Sequence, residues 1–123
     1  MALIQEHRVE KPELKKYIIC LVGSVKQEDD WRRWVALLTS QGYIVFEAGL
    51  YGAVGENIPQ KVWDLVTEVH HGKIDMSHVI GVIRKSNGTV GEDTQDDIQY
   101  AREHRKMVAK VESIAYHGVL NDW

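Results

Sequence analysis

Cysteine is almost absent from this chain, because Cys20 is the only one. A single cysteine cannot form a disulfide within the chain, which fits a reducing compartment and excludes a disulfide-stapled scaffold. Cys20 stands in an apolar segment, so we interpret it as a small buried hydrophobic residue rather than a catalytic thiol. Cysteine-rich zinc spacings and the HExxH pattern are both missing. His71 and Asp75 alone do not make a ligand set, and we expect no metal and no other cofactor.

Long apolar runs and polybasic runs are also missing. The longest apolar run, residues 17–22, is far too short to cross a bilayer, and the first residues lack the apolar stretch of a signal peptide. The net charge of −3, with acidic and basic residues interspersed, gives no electrostatic reason to bind nucleic acid or an anionic membrane. We therefore expect a soluble, cytoplasmic protein whose partner is a small molecule, with no nucleic acid and no membrane.

What the chain does contain is a set of short apolar segments that alternate with helical patterns. The predicted strands are residues 17–22, 43–46, 79–83 and 107–111. Continuous apolar runs of this kind suit strands that are covered on both faces, as in a parallel sheet. Alternation with helices implies right-handed crossovers. The 123 residues, 44% of them apolar, therefore predict one α/β domain over residues 17–112, with an arm at residues 1–16 and a tail at residues 113–123.

Helical patterns fill the intervals between the strands. The acidic stretch 27–30 favours the start of a first helix, which Gly42 ends. Pro59 suits the first turn of a second helix, which would pause at Gly72 and end near Asp75 or Met76. The apolar spacing predicts buried side chains in all three helices: Trp31, Trp34, Val35, Leu37 and Leu38 in the first, Val62, Leu65, Val66 and Val69 in the second, Ile98 and Ala101 in the third.

The carboxyl ends of parallel strands meet at one edge of the sheet. Ligands of such sheets bind in the crevice at that edge, where the strand order reverses. The predicted crevice is bordered by Gly23 and Ser24, by residues 47–51 and by residues 86–97. We expect the chemistry of this protein there.

Three segments carry a family resemblance. The first is residues 22–26, VGSVK, and the second is residues 38–45, LTSQGYIV, which runs into residues 49–52, GLYG. The third begins with residues 71–76, HGKIDM, and ends with residues 90–101, VGEDTQDDIQYA. In this order and spacing they resemble the nucleoside 2-deoxyribosyltransferase superfamily, especially its short phage and bacterial members and nucleotide N-hydrolase relatives. The resemblance covers roughly residues 17–111.

The resemblance implies both a fold and an activity. The fold would be a flavodoxin- or Rossmann-like three-layer sandwich with a central parallel sheet of four to five strands. The activity would be cleavage or transfer of the N-glycosidic bond of a nucleoside or nucleoside 5′-monophosphate. In that family a carboxylate at the start of the last helix attacks the anomeric carbon, and the glycosyl group passes to another base or to water. A carboxylate suits this chemistry because the transition state resembles an oxocarbenium ion.

Asp97 falls on the family's catalytic glutamate, within a pattern that ends Glu-Ile-x-Tyr-Ala. Aspartate is shorter by one methylene, roughly 1.5 Å of reach. Asp97 is therefore a weak nucleophile, a stabilising anion or a relic. The alternative is structural: Thr94 at the N-cap with Asp97 three residues later resembles a capping box.

Asp75 falls on a family aspartate that helps orient the sugar hydroxyls or the base. A carboxylate can accept hydrogen bonds from two hydroxyls at once. The alternative for Asp75 is a solvated acid at a helix end. His78 replaces a second family aspartate, where its imidazole would still form a hydrogen bond, unless it is simply packed or solvated.

The remaining candidate residues would bind the substrate. Glycine at position 23 allows close approach of the backbone, and the Ser24 hydroxyl and Lys26 could contact a sugar or a 5′-phosphate. Acidic crowding at the start of the third helix favours a neutral nucleoside or sugar there. Tyr51 would stack on a base or anchor its loop. The full set of expected binding residues is Gly23, Ser24, Lys26, Tyr51, His78, Glu92 and Thr94.

Three further expectations remain. The resemblance implies a homo-oligomer, in which residues 116–123, with Asp122, would complete a neighbour's site. One rival function is a non-catalytic nucleotide-binding protein on the same fold. Another is an interaction protein that uses Trp31, Trp34 and Trp123 as contacts.

Overall fold

Four strands and four helices alternate along the part of the chain that the structure describes. The computed structural model describes residues 13–24, 26–48 and 58–123. The elements follow in order: β1 (Ile18–Val22), α1 (Glu28–Ser40), β2 (Ile44–Phe46), α2 (Gln60–Asp75), β3 (Val79–Val82), α3 (Glu92–Glu103), β4 (Met107–Lys110) and α4 (Val111–His117). None of the helices within these ranges combines the length and the apolar character needed to span a membrane.

The strands form one parallel sheet, which confirms the predicted fold class. Its order is β2-β1-β3-β4, and each neighbouring pair is parallel. From β1 the chain moves outward to β2 and then returns across the sheet to β3, so the strand order reverses between β1 and β3. That reversal opens a crevice beyond the carboxyl ends of these two central strands. All residues of β3, and all but the first of β1, are buried, which explains their continuous apolar runs.

Two apolar layers cover the two faces of the sheet. Alternate residues of a strand point to opposite faces, so Ile19 and Leu21 pack on one side while Cys20 and Val22 pack on the other. The first layer contains Trp31, Trp34 and Leu38 of α1 together with Ile114 and Ala115 of α4. The second contains Ile74 of α2 with Ile98 and Ala101 of α3. The architecture is thus a three-layer α/β sandwich.

Two of the three tryptophans expected to contact a partner are buried, which contradicts the interaction-protein hypothesis based on them. Trp31 is fully buried and Trp34 is 6% exposed, because both lie on the face of α1 that packs on the sheet. They are core residues and cannot serve as a contact surface. Only Trp123 of that set is exposed.

The second helix requires one correction to the sequence prediction. It runs through Gly72 without the expected pause, and its expected buried stripe is wrong. Val62, Leu65 and Val69 are 38%, 56% and 50% exposed, and Val66 is only half-buried. The one buried side chain of α2 is Ile74. Apolar residues occur on more than one side of this helix, and periodicity alone does not reveal which side packs against the domain.

Hydrogen bonds hold both flanks of the core, the first to the turn between α1 and β2 and the second to β4. Lys15 donates its backbone N–H to the Gly42 carbonyl (2.8 Å) and its ammonium to the Gln41 carbonyl. Gly42 has φ +97°, and a Cβ there would clash with the Glu13 carbonyl, so glycine is required. After α4, residues 121–123 return to β4, where Asp122 and Trp123 donate their N–H groups to the Val108 carbonyl.

Candidate active site

A cleft of about 1420 Å³ opens beyond the carboxyl ends of β1 and β3. Three elements form its walls: the loop after β1, the inner side of α2 and the first turns of α3. This is the crevice that the sequence predicted, at the position where parallel α/β sheets bind ligands. Six of the predicted site residues line it: Gly23, Ser24, Lys26, Glu92, Thr94 and Asp97.

Asp97 lies in the second turn of α3 with its side chain 19% exposed. Burial raises the pKa of this carboxyl from 3.8 to about 7, and the nearby carboxylates of Asp93 and Asp96 add to the shift. The carboxyl therefore exists in both protonation states near neutral pH. Perturbed carboxyls in clefts are typical of functional sites, because they can exchange protons or carry charge at working pH.

Two adjacent histidines of α2 face this carboxyl. The Nε2 atom of His70 lies 3.6 Å from one Asp97 oxygen, and the Nε2 atom of His71 lies 3.6 Å from the other. Burial lowers the pKa of His70 to about 4, with further lowering from the charges of Lys73 and His71. His70 is therefore neutral at pH 7 and does not form an ion pair with Asp97, despite the short distance. His71 is more open to the cleft, with 29% of its side chain exposed.

From the sequence, His71 is considered only as a possible metal ligand and is not assigned to the site. Its proximity to Asp97 depends on how α2 packs on α3, which is a tertiary contact. One sequence pattern indicates the side of α2 that faces the cleft. Trp63, Thr67 and His70 follow helical spacing, and all three line the cleft. Among the described residues, no group of three or more histidine, cysteine or acidic side chains could hold a metal ion.

A stack of three rings supports the outer side of His71. Its imidazole stacks on Tyr100 with ring centroids 4.0 Å apart, and Tyr100 stacks on His104 at 3.9 Å. The Tyr100 hydroxyl donates a 2.8 Å hydrogen bond to Asp75. This hydrogen bond is the main reason that the pKa of Tyr100 is raised. Asp75 therefore does not line the cleft but holds the ring that packs against His71.

His78 is not brought to the cleft. It precedes β3, where its Nδ1 accepts a 2.9 Å hydrogen bond from the Ile18 N–H, and its ring meets Tyr17 edge-on. These contacts lie at the amino ends of β1 and β3, whereas the cleft lies at their carboxyl ends. The length of the strand separates the two.

The loop after β1 is shaped by hydrogen bonds to Ser24. Its carbonyl accepts bonds from Trp31 Nε1 (2.8 Å) and from the Gln27 N–H (3.0 Å), while its hydroxyl accepts the Lys26 N–H at 3.2 Å. At Gly23 a Cβ would approach the Cβ of Ile83 to 3.0 Å. Glycine therefore lets this loop pass close to the end of β3 and leaves Lys26 exposed at the rim.

The start of α3 differs from the predicted capping box. The helix begins at Glu92 with Gly91 as N-cap, and Thr94 is buried inside the first turn rather than capping it. Asp97 therefore has no capping role. The acidic crowding is as predicted: the described lining includes Asp30, Glu92, Asp93, Asp96, Asp97 and Glu103 but only two lysines, Lys26 and Lys85.

Two further sequence expectations concern Cys20 and Tyr51. Cys20 is fully buried, and burial, together with the charge of Asp97, raises its pKa to about 12. Its thiol is therefore unreactive at neutral pH, which confirms its interpretation as a packed hydrophobic residue. Tyr51 lies outside the described residues.

No family model matches this chain, and a search of the curated proteins found no match. The fold and the cleft therefore define the protein only by class. It is an α/β domain with a parallel sheet and a partly protonated carboxyl, flanked by two imidazoles, at the point where the strand order reverses.

Proposed function

We propose that the cleft cleaves or transfers the N-glycosidic bond of a nucleoside or nucleoside 5′-monophosphate, with Asp97 acting on the anomeric carbon. The observation that carries the proposal is the position of Asp97, a largely buried carboxyl on the wall of the cleft with a pKa raised to about 7. The family resemblance of residues 17–111 supplies the reaction class.

The proposed reaction has two steps. The ionised Asp97 carboxylate bonds to the anomeric carbon as the bond to the base nitrogen breaks, and that nitrogen takes the electron pair and a proton. Water or a second base then displaces Asp97 from the sugar. Where aspartate is too short to bond, the same carboxylate stabilises the positive charge of the transition state without a covalent step.

His71 is the residue to which we assign proton transfer in this scheme. Its imidazole lies 3.6 Å from Asp97 and is partly open to the cleft. An imidazole can give a proton to the departing base and then take one from the attacking water. Asp75 is a positioning residue, since it acts through its hydrogen bond to Tyr100 and the stack of Tyr100 on His71.

Charge in the cleft favours a neutral nucleoside over its 5′-monophosphate. Acidic residues outnumber lysines in the described lining, and a phosphate dianion would be repelled near the start of α3. Ser24 and Lys26 offer a polar edge with a cation for a phosphate, and Lys85 is the second lysine of the described lining. The half-buried Trp63 provides an aromatic face for the base.

A cytoplasmic location, a homo-oligomer and a tail that completes a neighbour's site stay predictions.

The decisive test is release of free base. We would incubate the protein with ribo- and deoxyribonucleosides and their 5′-monophosphates, with and without a second free base, and separate the products by chromatography. We expect base release that is abolished in Asp97→Ala and retained in Asp29→Ala, an exposed acid of α1 that does not line the cleft. Base exchange would distinguish transfer from hydrolysis. Full turnover in Asp97→Ala would refute the assignment of Asp97.

A non-catalytic nucleotide-binding protein is the second candidate. One observation favours it. A carboxyl with a pKa of about 7 is only partly ionised at neutral pH, whereas a carboxylate nucleophile must be ionised. Asp97→Glu separates the two, because it restores the longer side chain of the family. We expect the longer carboxylate to raise turnover if the site is catalytic. Binding by calorimetry with no turnover in either protein would favour the binding function.

A further inference from the structure

We propose that His70 is a positioning residue for Asp97, whose ionised form it stabilises by donating the Nε2 hydrogen of a buried, neutral imidazole to the carboxylate. This inference rests on the proposed function, in which Asp97 acts as an anion on the anomeric carbon. It assigns a role to a buried group that the proposed reaction does not use. Only 11% of the His70 side chain is exposed, and its Nε2 atom lies 3.6 Å from Asp97 Oδ2.

The surroundings of its two ring nitrogens determine where His70 carries its proton. Nδ1 is buried and has no hydrogen-bond partner among the described residues, whereas Nε2 faces the Asp97 carboxyl. A neutral imidazole has one N–H donor and one acceptor nitrogen. A buried N–H without an acceptor is rarer in proteins than a buried acceptor without a donor. We therefore infer that the hydrogen lies on Nε2, where Asp97 can accept it.

His70 is suited to donate a hydrogen bond but not to pass a proton on. Burial lowers its pKa to about 4, and the charges of Lys73 and His71 lower it further, so the ring stays neutral at pH 7. Relay of a proton through an imidazole uses both nitrogens, as in a Ser-His-Asp triad, and Nδ1 of His70 has no partner in the described part of the chain. Proton transfer therefore stays with His71, which is open to the cleft.

The distance between His70 and Asp97 leaves room for a contact that tightens with charge. At 3.6 Å the two atoms are about 0.6 Å farther apart than in an N–H···O hydrogen bond. A carboxylate attracts an N–H more strongly than a neutral carboxyl does, and hydrogen bonds to ionised groups are shorter and stronger. We expect a small rotation of the two side chains to close the gap when Asp97 loses its proton.

This donor opposes the surroundings that favour the neutral form of Asp97. Those surroundings are burial and the charges of Asp93 and Asp96, which together raise the pKa of the carboxyl. The titratable and charged groups around the His70–Asp97 pair come from three elements: His71 and Lys73 of α2, Asp93 and Asp96 of α3, and Cys20 of β1. Without the His70 N–H, less of Asp97 would be ionised at neutral pH, and the proposed reaction needs the ionised form.

The pKa of Asp97 in two matched variants tests the proposal. Glutamine and methionine have similar lengths and both favour helices, but only glutamine offers an N–H. With aspartate labelled with carbon-13 at its side-chain carboxyl, an NMR titration gives the pKa of Asp97, and Asp97→Asn identifies the signal. We expect His70→Met to raise this pKa by at least about 1. His70→Gln should keep the wild-type value.

His117→Met is the matched control. His117 is an exposed histidine of α4, which packs on the opposite face of the sheet from α2. This variant should leave the pKa of Asp97 unchanged.

The pH dependence of base release gives a second readout. Below its pKa, a carboxyl loses about tenfold of its ionised form for each unit of pH. At pH 6, His70→Met should therefore release base about tenfold more slowly than the wild type, and the loss should shrink as the pH is raised above the new pKa. A merely structural defect would not be corrected by pH. If the wild type releases no base, the proposed function fails while the NMR titration still tests His70.

The tautomer of His70 can be measured in the wild type, which keeps the proposal testable even if both variants fail to fold. Nitrogen-15 chemical shifts of the imidazole distinguish Nε2–H from Nδ1–H, and we expect Nε2–H throughout the range in which Asp97 is ionised. Two outcomes would overturn the proposal: an Nδ1–H tautomer in that range, or the same Asp97 pKa in His70→Met and His70→Gln.

Discussion

At the residue scale, the protonation of Asp97 links the site to stability. The folded carboxyl has a pKa of about 7, against 3.8 for the ordinary group. Between these values the folded state binds more protons than the unfolded state, so the free energy of unfolding falls as the pH rises. Above pH 7 the penalty is complete, up to about 4 kcal/mol by linkage. The ionised Asp97 carboxylate thus lowers the free energy of unfolding, as functional groups often do.

We therefore predict that Asp97→Asn is more stable than the wild type at pH 8, by about 2–4 kcal/mol. Asparagine keeps the shape of the side chain and removes the charge that burial penalises. The advantage should shrink as the pH is lowered and vanish below about pH 3, where folded and unfolded aspartate both hold the proton. Urea unfolding across this range measures it. Asp29→Asn, at an exposed position outside the cleft, is the control, and an Asp97→Asn protein that is no more stable at pH 8 would contradict the prediction.

His70 acts in the opposite direction over part of the same range. Its pKa is lowered from 6.5 to about 4, so below pH 6.5 the unfolded state binds more protons and folding is disfavoured as the pH falls. Between pH 4 and 6.5 the contributions of His70 and Asp97 therefore oppose each other. The free energy of unfolding of the wild type alone would therefore change little over this range of pH. The informative quantity is the difference in that free energy between the wild type and a variant.

At the element scale, the strands were predictable because a strand covered on both faces needs a continuous apolar run. Each predicted strand agrees with β1 to β4 within one residue. The helix patterns located α1, α2 and α3, but the covered side of α2 was predicted wrongly. Val62, Leu65 and Val69 form the more regular apolar pattern, and yet Ile74 is the residue that enters the core. Spacing identifies an apolar face but not the surface that covers it.

The site was partly predictable for the same reason. Asp97, Ser24 and Lys26 lie at the carboxyl ends of strands or on the following helix, so topology alone brings them together. The approach of His70 and His71 to Asp97 depends on the packing of α2 against α3, which has no local signature in the sequence. The displacement of Asp75 from the cleft also follows from packing, since Tyr100 of α3 takes its hydrogen bond.

Ile74 is the principal anchor of α2, and we predict that Ile74→Ala lowers the free energy of unfolding by about 2–4 kcal/mol. The fully buried side chain would leave a cavity between α2, α3 and the sheet. Met76→Ala at the C-cap of the same helix should change stability by less than about 0.5 kcal/mol, because Met76 is exposed. Urea unfolding of both variants measures the contrast, and equal losses would contradict the anchoring role.

At the scale of the whole molecule, residues 121–123 close the edge of the sheet beside β4. Asp122 accepts the Lys110 N–H at 2.9 Å, and Asn121 accepts the Val108 N–H at 3.3 Å. Arg102 of α3 donates to the Trp123 carbonyl at 2.6 Å. These bonds occupy backbone groups that an edge strand would otherwise expose. Within a single copy, the segment therefore stabilises its own domain.

The ionisation of Asp122 distinguishes this role from one in a neighbour's site. Burial alone would raise its pKa, but hydrogen bonds from Ser113 and the Lys110 backbone, with the charges of Lys110 and Arg84, lower it overall. A lowered carboxyl pKa adds stability at neutral pH that is lost as the pH falls through the folded value. We predict that Asp122→Ala loses about 1 kcal/mol of unfolding free energy at pH 7 and less below pH 4.

Base release and thermal unfolding of the same variant decide between the two roles. If the segment serves its own sheet, Asp122→Ala is less stable, and its turnover at temperatures well below unfolding is unchanged. If the segment completes a neighbour's site, turnover falls while stability is kept, and mixing with an Asp97→Ala protein restores activity, because each mixed pair contains one intact site. The hydrogen bonds to β4 favour the first outcome, since a segment already paired with its own strand must release those bonds before it can reach another copy.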